Sequence, residues 1–468
     1  MSQNGNLYQS RFLRTLERDG LVAVFHQLHP QLLYVRSNVW QSAIENLRGN
    51  SHESLLGELI ERRLVVSNQS LDDDFLDATR RQILDSLNRS TILYLMLAQG
   101  CNFACVTCPI PALAEKYGRN LLSLDDALAG IKLWQDHIGD SVDKRPHYLI
   151  FYGGEPLLNR EVLEQLLPQI KKMHDRSELP ENLELMLSTN GVLLDESLVS
   201  VLKQYGVTVA LGIDGPEEDN DRVRVDDQGE PTFTRIRKAL DLLVDKGVMM
   251  VASVTITPNN LGRLDAYPDF LRTLGIQKFG YNLVKGRALD KMLGGMSREQ
   301  YYKLAAKAVL FGLGEEEPYE YQLEKKLAVL RQGLPFSIDC TCQGSQLVIQ
   351  ADGQVSNCPF LRRDRGTVSG LDPSFRIWQT ETVSRWRERL PILSKGGLQK
   401  EQGFLNGGGC TWSSYELTGE ETAPDAGNEI FNQEVLNGLV WATFPKEARE
   451  DLATGRTEYW YHRRVGAL

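Results

Sequence analysis

The sequence predicts an α/β chain: a parallel sheet with helices outside it, either open or curled into a partial barrel. The sheet is set between a small N-terminal module and a cysteine-bearing C-terminal region. Three observations predict this. From residue 91 to about 290, six short apolar runs alternate with amphipathic helical stretches, the rhythm of strands joined by crossover helices. Before that, strand-like runs are followed by compact helices, which suggests a winged-helix-like unit over residues 1–70 and a linker helix over 71–90. After residue 290 the alternation stops and four of the seven cysteines follow, so residues 291–468 read as a further domain. A chain of 468 residues exceeds one ordinary core.

In the N-terminal module, LVAVFHQL and QLLYVRS read as two strands of a hairpin turning near Pro30. VWQSAIENLRG and ESLLGELIER carry helical periodicity, RLVVS is a short apolar run, and DDDFLDATRRQILDSL is the charged linker helix. The alternating region supplies the strands TILYLML (91–97), HYLIFY (147–152), LELMLS (183–188), VTVALGI (207–213), VMMVASVTIT (248–257) and KFGYNLV (278–284). LSLDDALAGIKLWQDHI and EVLEQLLPQIKKMH are two of the helices between them. No internal repeat is visible. Beyond the sheet, helices are expected at 297–312 and 319–332, then a strand pair, QLVIQADGQVSNC, turning at Ala351-Asp352-Gly353. The tail from 391, with NGGGC and many aromatics, reads as ordered covering structure.

The composition, 42% apolar and 24% charged, is that of a soluble globular protein. No apolar run reaches membrane-spanning length. The start, MSQNGNLYQSRF, lacks the basic-then-apolar order of a signal peptide. The expectation is a cytoplasmic protein with reduced thiols, in which clustered cysteines mean metal or catalysis rather than disulfides. A net charge of −10 disfavours a broad phosphate-binding surface. Neither nucleic acid nor a membrane is an expected partner.

The chemistry begins at CNFACVTC, where Cys101, Cys105 and Cys108 are spaced C-x3-C-x2-C directly after the first strand of the sheet. Ligands bind at such strand ends in these folds. Three thiolates can hold three irons of a [4Fe–4S] cluster and leave the fourth open to a small-molecule chelator. A structural zinc site would want four closed ligands, usually in paired C-x2-C halves, and the nearest histidine in sequence is His137. The later strand ends carry YGGEP (152–156), STNG (188–191) and IDGP (213–216). The last is followed by Asp221-x-x-Arg224 and PTF (231–233).

This order of motifs resembles the radical S-adenosylmethionine (SAM) enzymes, and among them the peptide- and protein-modifying branch. The resemblance implies a partial (β/α)6 TIM-like barrel. It implies a [4Fe–4S] cluster on Cys101, Cys105 and Cys108, whose open iron is chelated by the amino and carboxylate groups of S-adenosylmethionine. Reductive cleavage of that cofactor would yield a 5′-deoxyadenosyl radical that abstracts a substrate hydrogen. Carried over residue by residue, Gly153, Gly154 and Glu155 would receive the cofactor's amino group. Ser188, Thr189 and Asn190 would bond its ribose or carboxylate. Arg224 would face the cofactor carboxylate, Asp214 the substrate side, and VTIT (254–257) would line the adenine pocket. Thr107 stands where an aromatic residue commonly precedes the third cysteine.

CTCQGSQLVIQADGQVSNC resembles the auxiliary-cluster segment of the same branch, found in the related SPASM and twitch domains. The hairpin would return Cys358 toward Cys342 and Cys340, and Cys410, after three glycines, could close the site. Four thiols support one fully cysteine-ligated auxiliary [4Fe–4S] cluster, the shorter twitch-like arrangement of a C-terminal auxiliary iron–sulfur cluster domain. Zinc on the same thiols is one alternative. In another, only three cysteines ligate. Cys410 is then free to donate a hydrogen atom, or the fourth iron is open to substrate. Tyr415 is a second candidate donor, whereas Trp412, Trp441, Tyr459 and Trp460 read as packing.

Residues 6–68 resemble the PqqD-like peptide-recognition element, which takes a leader peptide as an added strand. His26 and His29 could form a two-histidine metal site, but surface histidines in a hairpin are commoner. The expected function is hydrogen abstraction from a residue of a ribosomally made precursor peptide, leading to a cross-link, epimerisation or excision. An electron donor such as flavodoxin or ferredoxin would feed it. The rivals are a maturase of the sulfatase-maturase type, a small-molecule radical enzyme and a zinc-stabilised binding protein.

Overall fold

The computed structural model describes residues 6–461 apart from 46, 48–51, 139–145, 312–317, 336–337, 395, 446–447, 449–450 and 452–456. The end of the helix expected at 39–49 and the last residue of that expected at 297–312 lie outside the described residues.

Each of the expected barrel strands forms: β1 (Ile92–Ala98), β2 (His147–Gly153), β3 (Leu183–Thr189), β4 (Thr208–Gly212), β5 (Met250–Ile256) and β6 (Lys278–Leu283). Each pairs in parallel with the next in chain order. Parallel strands need crossovers, and the intervening amphipathic helices supply them. Helix Leu124–Ile138, for example, turns Ala127, Ile131 and Trp134 into the core. At Gly130 an added Cβ would strike Ile349, so the helix lies directly on the sheet at that point.

The sheet does not close on itself. A short strand, β7 (Tyr319–Glu320), pairs in parallel with β6. At the other edge β8 (Gln346–Ile349) pairs in parallel with β1, and β9 (Val355–Ser356) folds back antiparallel on β8. The order is β7-β6-β5-β4-β3-β2-β1-β8-β9. The expected C-terminal hairpin therefore exists, but it extends the central sheet instead of founding a sheet of its own. Its residues Leu347 and Ile349 share the main core with Leu93 and Leu95 of β1.

The N-terminal module is an antiparallel meander of Leu13–Arg18, Leu21–His26 and His29–Arg36, followed by helices Ser37–Glu45, Glu53–Glu61 and Ser70–Leu87. The hairpin turns at Gln27 and Leu28, so Pro30 lies inside a strand rather than at the turn. It falls in an irregular stretch of the ladder between the His26–His29 and Val24–Leu33 pairs, where a missing N–H does least harm. Val22, Val24, Leu33 and Val35 on one face pack with Leu55 and Leu59 of the helices. Ala23, Phe25, Leu32 and Tyr34 on the other face enter the main core. Period-two alternation thus buries both faces. A fourth strand, Tyr459–Tyr461, returns from the far end of the chain and pairs antiparallel with His29–Arg36. No helix among the described residues is long and apolar enough to cross a membrane.

Candidate active site

The C-terminal ends of β1 to β6 carry the sequence-predicted residues. β1 leads through Gln99 and Gly100 into Cys101, and YGGEP crosses over this connection. Gly154 N donates to Ala98 O (2.8 Å) and Glu155 N to Gly100 O (2.9 Å). The two glycines make that crossing possible. Gly153 has φ 145°, a region that favours glycine. A Cβ on Gly153 would run into Ala98 O, and one on Gly154 into Gly100 O. The other side of the cysteine loop is clipped by the segment after β4, through Ala104 N to Val225 O and Val106 N to Val223 O, both 2.9 Å.

Glu155 is fully buried, and its oxygens accept from Leu157 N (3.0 Å), Thr189 Oγ1 (2.7 Å) and Asn190 N (2.9 Å). Burial raises its pKa against these donors. The carboxylate therefore holds the STNG turn. Asn190, so held, donates to Asn102 Oδ1 (2.8 Å) and lies 3.9 Å from Cys101 Sγ. Ser188 is half-buried on the same turn. Cys101 accepts from Phe103 N (3.3 Å). Burial still pushes its thiol up to about 12, so a metal binding there must displace a proton.

Arg224 and Asp214, expected to face different partners, meet as an ion pair: Arg224 Nε lies 2.8 Å from Asp214 Oδ2. Asp214 is 1% exposed and also accepts from Thr255 N (2.6 Å). Gly212 makes room for the pair, since a Cβ there would sit 2.6 Å from the guanidinium. Cys105 and Cys108 both feel the Arg224 charge, which lowers their pKa values against the larger effect of burial.

The second cysteine group lies around β8 and β9. Cys340 and Cys342 thiols are 3.2 Å apart, and Asn357 Nδ2 donates to Cys342 O (2.9 Å). Asp339 explains the glycine run: it accepts from Gly407 N (2.8 Å), Gly409 N (3.1 Å), Asn428 Nδ2 (2.7 Å) and Lys326 Nζ (3.2 Å). At Gly407 a side chain would collide with Ile338 and Asp339 backbone. The residue next to Cys340 thus captures the loop that ends in Cys410. Cys410 N in turn donates to Asp425 (2.9 Å), and helix Thr411–Thr418 starts there. Cys340 and Cys410 are half-buried, Cys342 and Cys358 buried. No three of the described histidine, cysteine, aspartate and glutamate side chains converge on one metal-ion position.

Two half-buried tyrosines lie near the groups. The Tyr94 and Tyr152 rings are 5.5 Å apart, and Phe360 and Trp412 continue the row at 6.4 and 5.7 Å. Burial raises the Tyr152 hydroxyl, and Cys108 and Cys358 raise it further. Sequence reading missed Lys285, two residues beyond β6, whose charge acts toward Cys410, Asp425 and Cys340. Its only signal was a lysine at a C-terminal strand end. Tyr415 is 38% exposed, with the Arg363 guanidinium 5.3 Å from its ring centre. His26 is buried, not on a surface: Ser10 Oγ bridges it (3.1 Å) to Asp72 (2.9 Å).

Residues 95–267 match the Radical SAM superfamily. They form a radical SAM domain. Beyond it, the chain is 24% identical over 270 residues to an uncharacterized protein of Methanocaldococcus jannaschii, covering 58% of this chain and 85% of that one. It is 25% identical over 308 residues to the cysteine-type anaerobic sulfatase-maturating enzyme of Clostridium perfringens, covering 60% and 77%. The fold is similar to that of native anSMEcpe with bound AdoMet and Cp18Cys peptide. That match has a TM-score of 0.60 and 18% identity, and spans 78% of this chain and 99% of that one. The radical SAM domain thus carries the cysteine loop and the YGGEP, STNG and IDGP turns, and the relatives similar over a longer stretch include a sulfatase-maturating enzyme.

Proposed function

We propose that this protein is a radical SAM enzyme that removes a hydrogen atom from a residue of a peptide substrate. One observation carries the reading: the Tyr152 ring, beside the YGGEP turn, lies 6.4 Å from that of Phe360, two residues after Cys358, and Phe360 lies 5.7 Å from Trp412, two residues after Cys410, so the two cysteine groups flank one row of rings. A polypeptide residue entering beside that row meets both. The residues present fit the groups the domain implies. Three thiols lie at the strand ends, and two glycines leave no room for side chains beside them. Cys101, Cys105 and Cys108 would hold the first cluster; Cys340, Cys342, Cys358 and Cys410 would hold one auxiliary [4Fe–4S] cluster. When bound, S-adenosylmethionine and its cluster supply the hydrogen-abstracting radical.

The chain's own part is to bind, orient and exclude water. Glu155 fixes the Thr189–Asn190 turn beside Cys101. Arg224, neutralised by Asp214, sits next to Cys105 and Cys108. The N-terminal sheet would capture a leader segment by strand addition, and a flavodoxin- or ferredoxin-type donor would deliver the electron. A maturase acting on a residue of another enzyme is supported about equally, by the 25% identity to the Clostridium perfringens sulfatase-maturating enzyme. Both readings share the hydrogen abstraction and differ in whether the substrate is a short peptide or a protein.

The test is metal content with 5′-deoxyadenosine formation, on protein purified without oxygen and given reductant and S-adenosylmethionine. About eight irons per chain, two four-iron clusters, with deoxyadenosine released, is the expected result. About four irons plus zinc would reassign the C-terminal cysteines. Zinc alone with no deoxyadenosine would overturn the enzyme reading. Deoxyadenosine formation stimulated by a sulfatase-derived peptide would select the maturase.

A further inference from the structure

We infer that Lys285 is the counter-charge of the C-terminal thiolate centre and raises its reduction potential. This rests on reading Cys340, Cys342, Cys358 and Cys410 as ligands of an iron–sulfur cluster. Lys285 follows β6, on the same end of the sheet as the cysteine loop after β1. Its backbone is pinned on both sides: Val284 N donates to Tyr301 Oη and Gly286 N to Ser413 Oγ, each at 3.1 Å. Arg287 N also donates to Glu416 (3.2 Å), and a side chain at Gly286 would collide with Glu416. Ser413 and Glu416 belong to the helix that Cys410 begins. The lysine is therefore clamped against the helix that carries Cys410.

The carboxylates near it are held by other donors and stand farther off than an ion pair. Asp339 holds Gly407, Gly409, Asn428 and Lys326. Asp425 accepts from Cys410 N and Asn428 N. Among the described residues the half-buried Lys285 makes no ion pair within 4.0 Å. A half-buried ammonium with no close partner has lost part of its hydration, and neutral thiols at Cys410 and Cys340, which its charge reaches, do not offset that loss. Four thiolates around an iron–sulfur core leave the centre net negative, which supplies the missing partner. One-electron reduction, with the electron coming from the external donor, adds a further negative charge. A fixed ammonium beside the centre stabilises that reduced form more than the oxidised one.

The experiment uses the full chain with Cys101, Cys105 and Cys108 replaced by alanine, so that only the C-terminal centre can assemble. Iron and sulfide are added without oxygen, and the centre is titrated with dithionite and followed by electron paramagnetic resonance. Lys285→Met is expected to weaken reduction about tenfold or more, a fall of about 59 mV for a one-electron couple. Lys285→Arg, which keeps the charge, is expected to stay within about threefold of the parent. Lys285→Met with its iron retained and its potential unmoved would overturn the inference. Loss of iron from Lys285→Met but not from Lys285→Arg supports it, because charge then decides assembly. Loss from both overturns it, because shape then decides. A parent protein that takes up no iron refutes the cluster reading and the inference with it, a result distinct from an unmoved potential.

Discussion

At the scale of single residues, the site depends on close backbone approaches more than on reactive groups. Gly154→Ala puts a methyl group into Gly100 O, one residue before the first cysteine. Relief requires moving the cysteine loop, at a cost of about 1–3 kcal/mol. The expected outcome is a chain with native circular dichroism that has lost roughly half its iron, one of two four-iron clusters; full iron content would refute the crossing's role. A second residue-scale prediction concerns His137. It is fully buried, its Nδ1 lies 2.8 Å from Leu133 O, and its Nε2 accepts from Ile377 N at 3.1 Å. Burial is the main cause that lowers its pKa from 6.5 to about 4. The unfolded chain therefore binds the proton first as pH falls. The contribution to stability is complete above pH 6.5 and is lost progressively toward about 4. His26, lowered to about 3 chiefly by burial, acts in the same direction. Urea midpoints should fall between pH 7 and 4.5, and fall less steeply in His137→Gln; equal slopes in the two proteins would show that His137 is not responsible.

At the scale of elements, the edge of the N-terminal sheet is the informative feature. Strand His29–Arg36 is covered by the chain's own Tyr459–Tyr461, whose Trp460 ring packs against Phe444 and under Arg36. Among the described residues the remaining edge, Leu13–Arg18, pairs on one side only. Deleting residues 457–468 should lower the thermal midpoint, a loss of about 1–3 kcal/mol for one half-buried aromatic strand, and expose a new edge for peptide addition. An unchanged midpoint in calorimetry would mean that the returning strand carries no stability. None of this pairing was legible in the sequence. TEYWY reads as an aromatic tail, and an antiparallel partner more than 400 residues away leaves no local pattern. The six barrel strands were legible because each is a compact apolar run between helical stretches. The cysteine loop was legible because thiols at fixed spacing are rare. Lys285 was not, nor were the bonds by which the buried Glu155 holds Thr189 and Asn190. A lone lysine after a strand has no meaning until Cys410 folds back to it.

At the scale of the whole molecule, the sequence divides the chain into modules and the sheet joins them. The rhythm of the sequence breaks near residue 290, yet β8, more than 50 residues later, pairs along most of β1. Ser345 O accepts from both Thr91 N and Ile92 N, at 3.0 and 3.1 Å. The side chains of Leu347, Ile349, Val355, Val368, Ile377 and Val383 lie in the same core cluster as Leu93, Leu95 and Trp134. Arg387 ties the region to the linker helix through Leu87 O and Asn88 Oδ1, both at 2.8 Å. A chain ended after Gly333 would therefore expose one flank of helix Leu124–Ile138 and the edge of β1, the strand that leads into Cys101. Each large apolar side chain left uncovered costs about 1.5–3 kcal/mol, against a typical total stability of about 5–15 kcal/mol. Residues 1–333 are expected to be insoluble or molten, to lack cooperative unfolding, and to take up no iron on Cys101, Cys105 and Cys108. A soluble fragment that unfolds cooperatively and releases 5′-deoxyadenosine would show the radical SAM domain to be self-sufficient. The shared sheet would then be a docking surface between two units, and the two cysteine groups would not be held at a fixed separation by one continuous core.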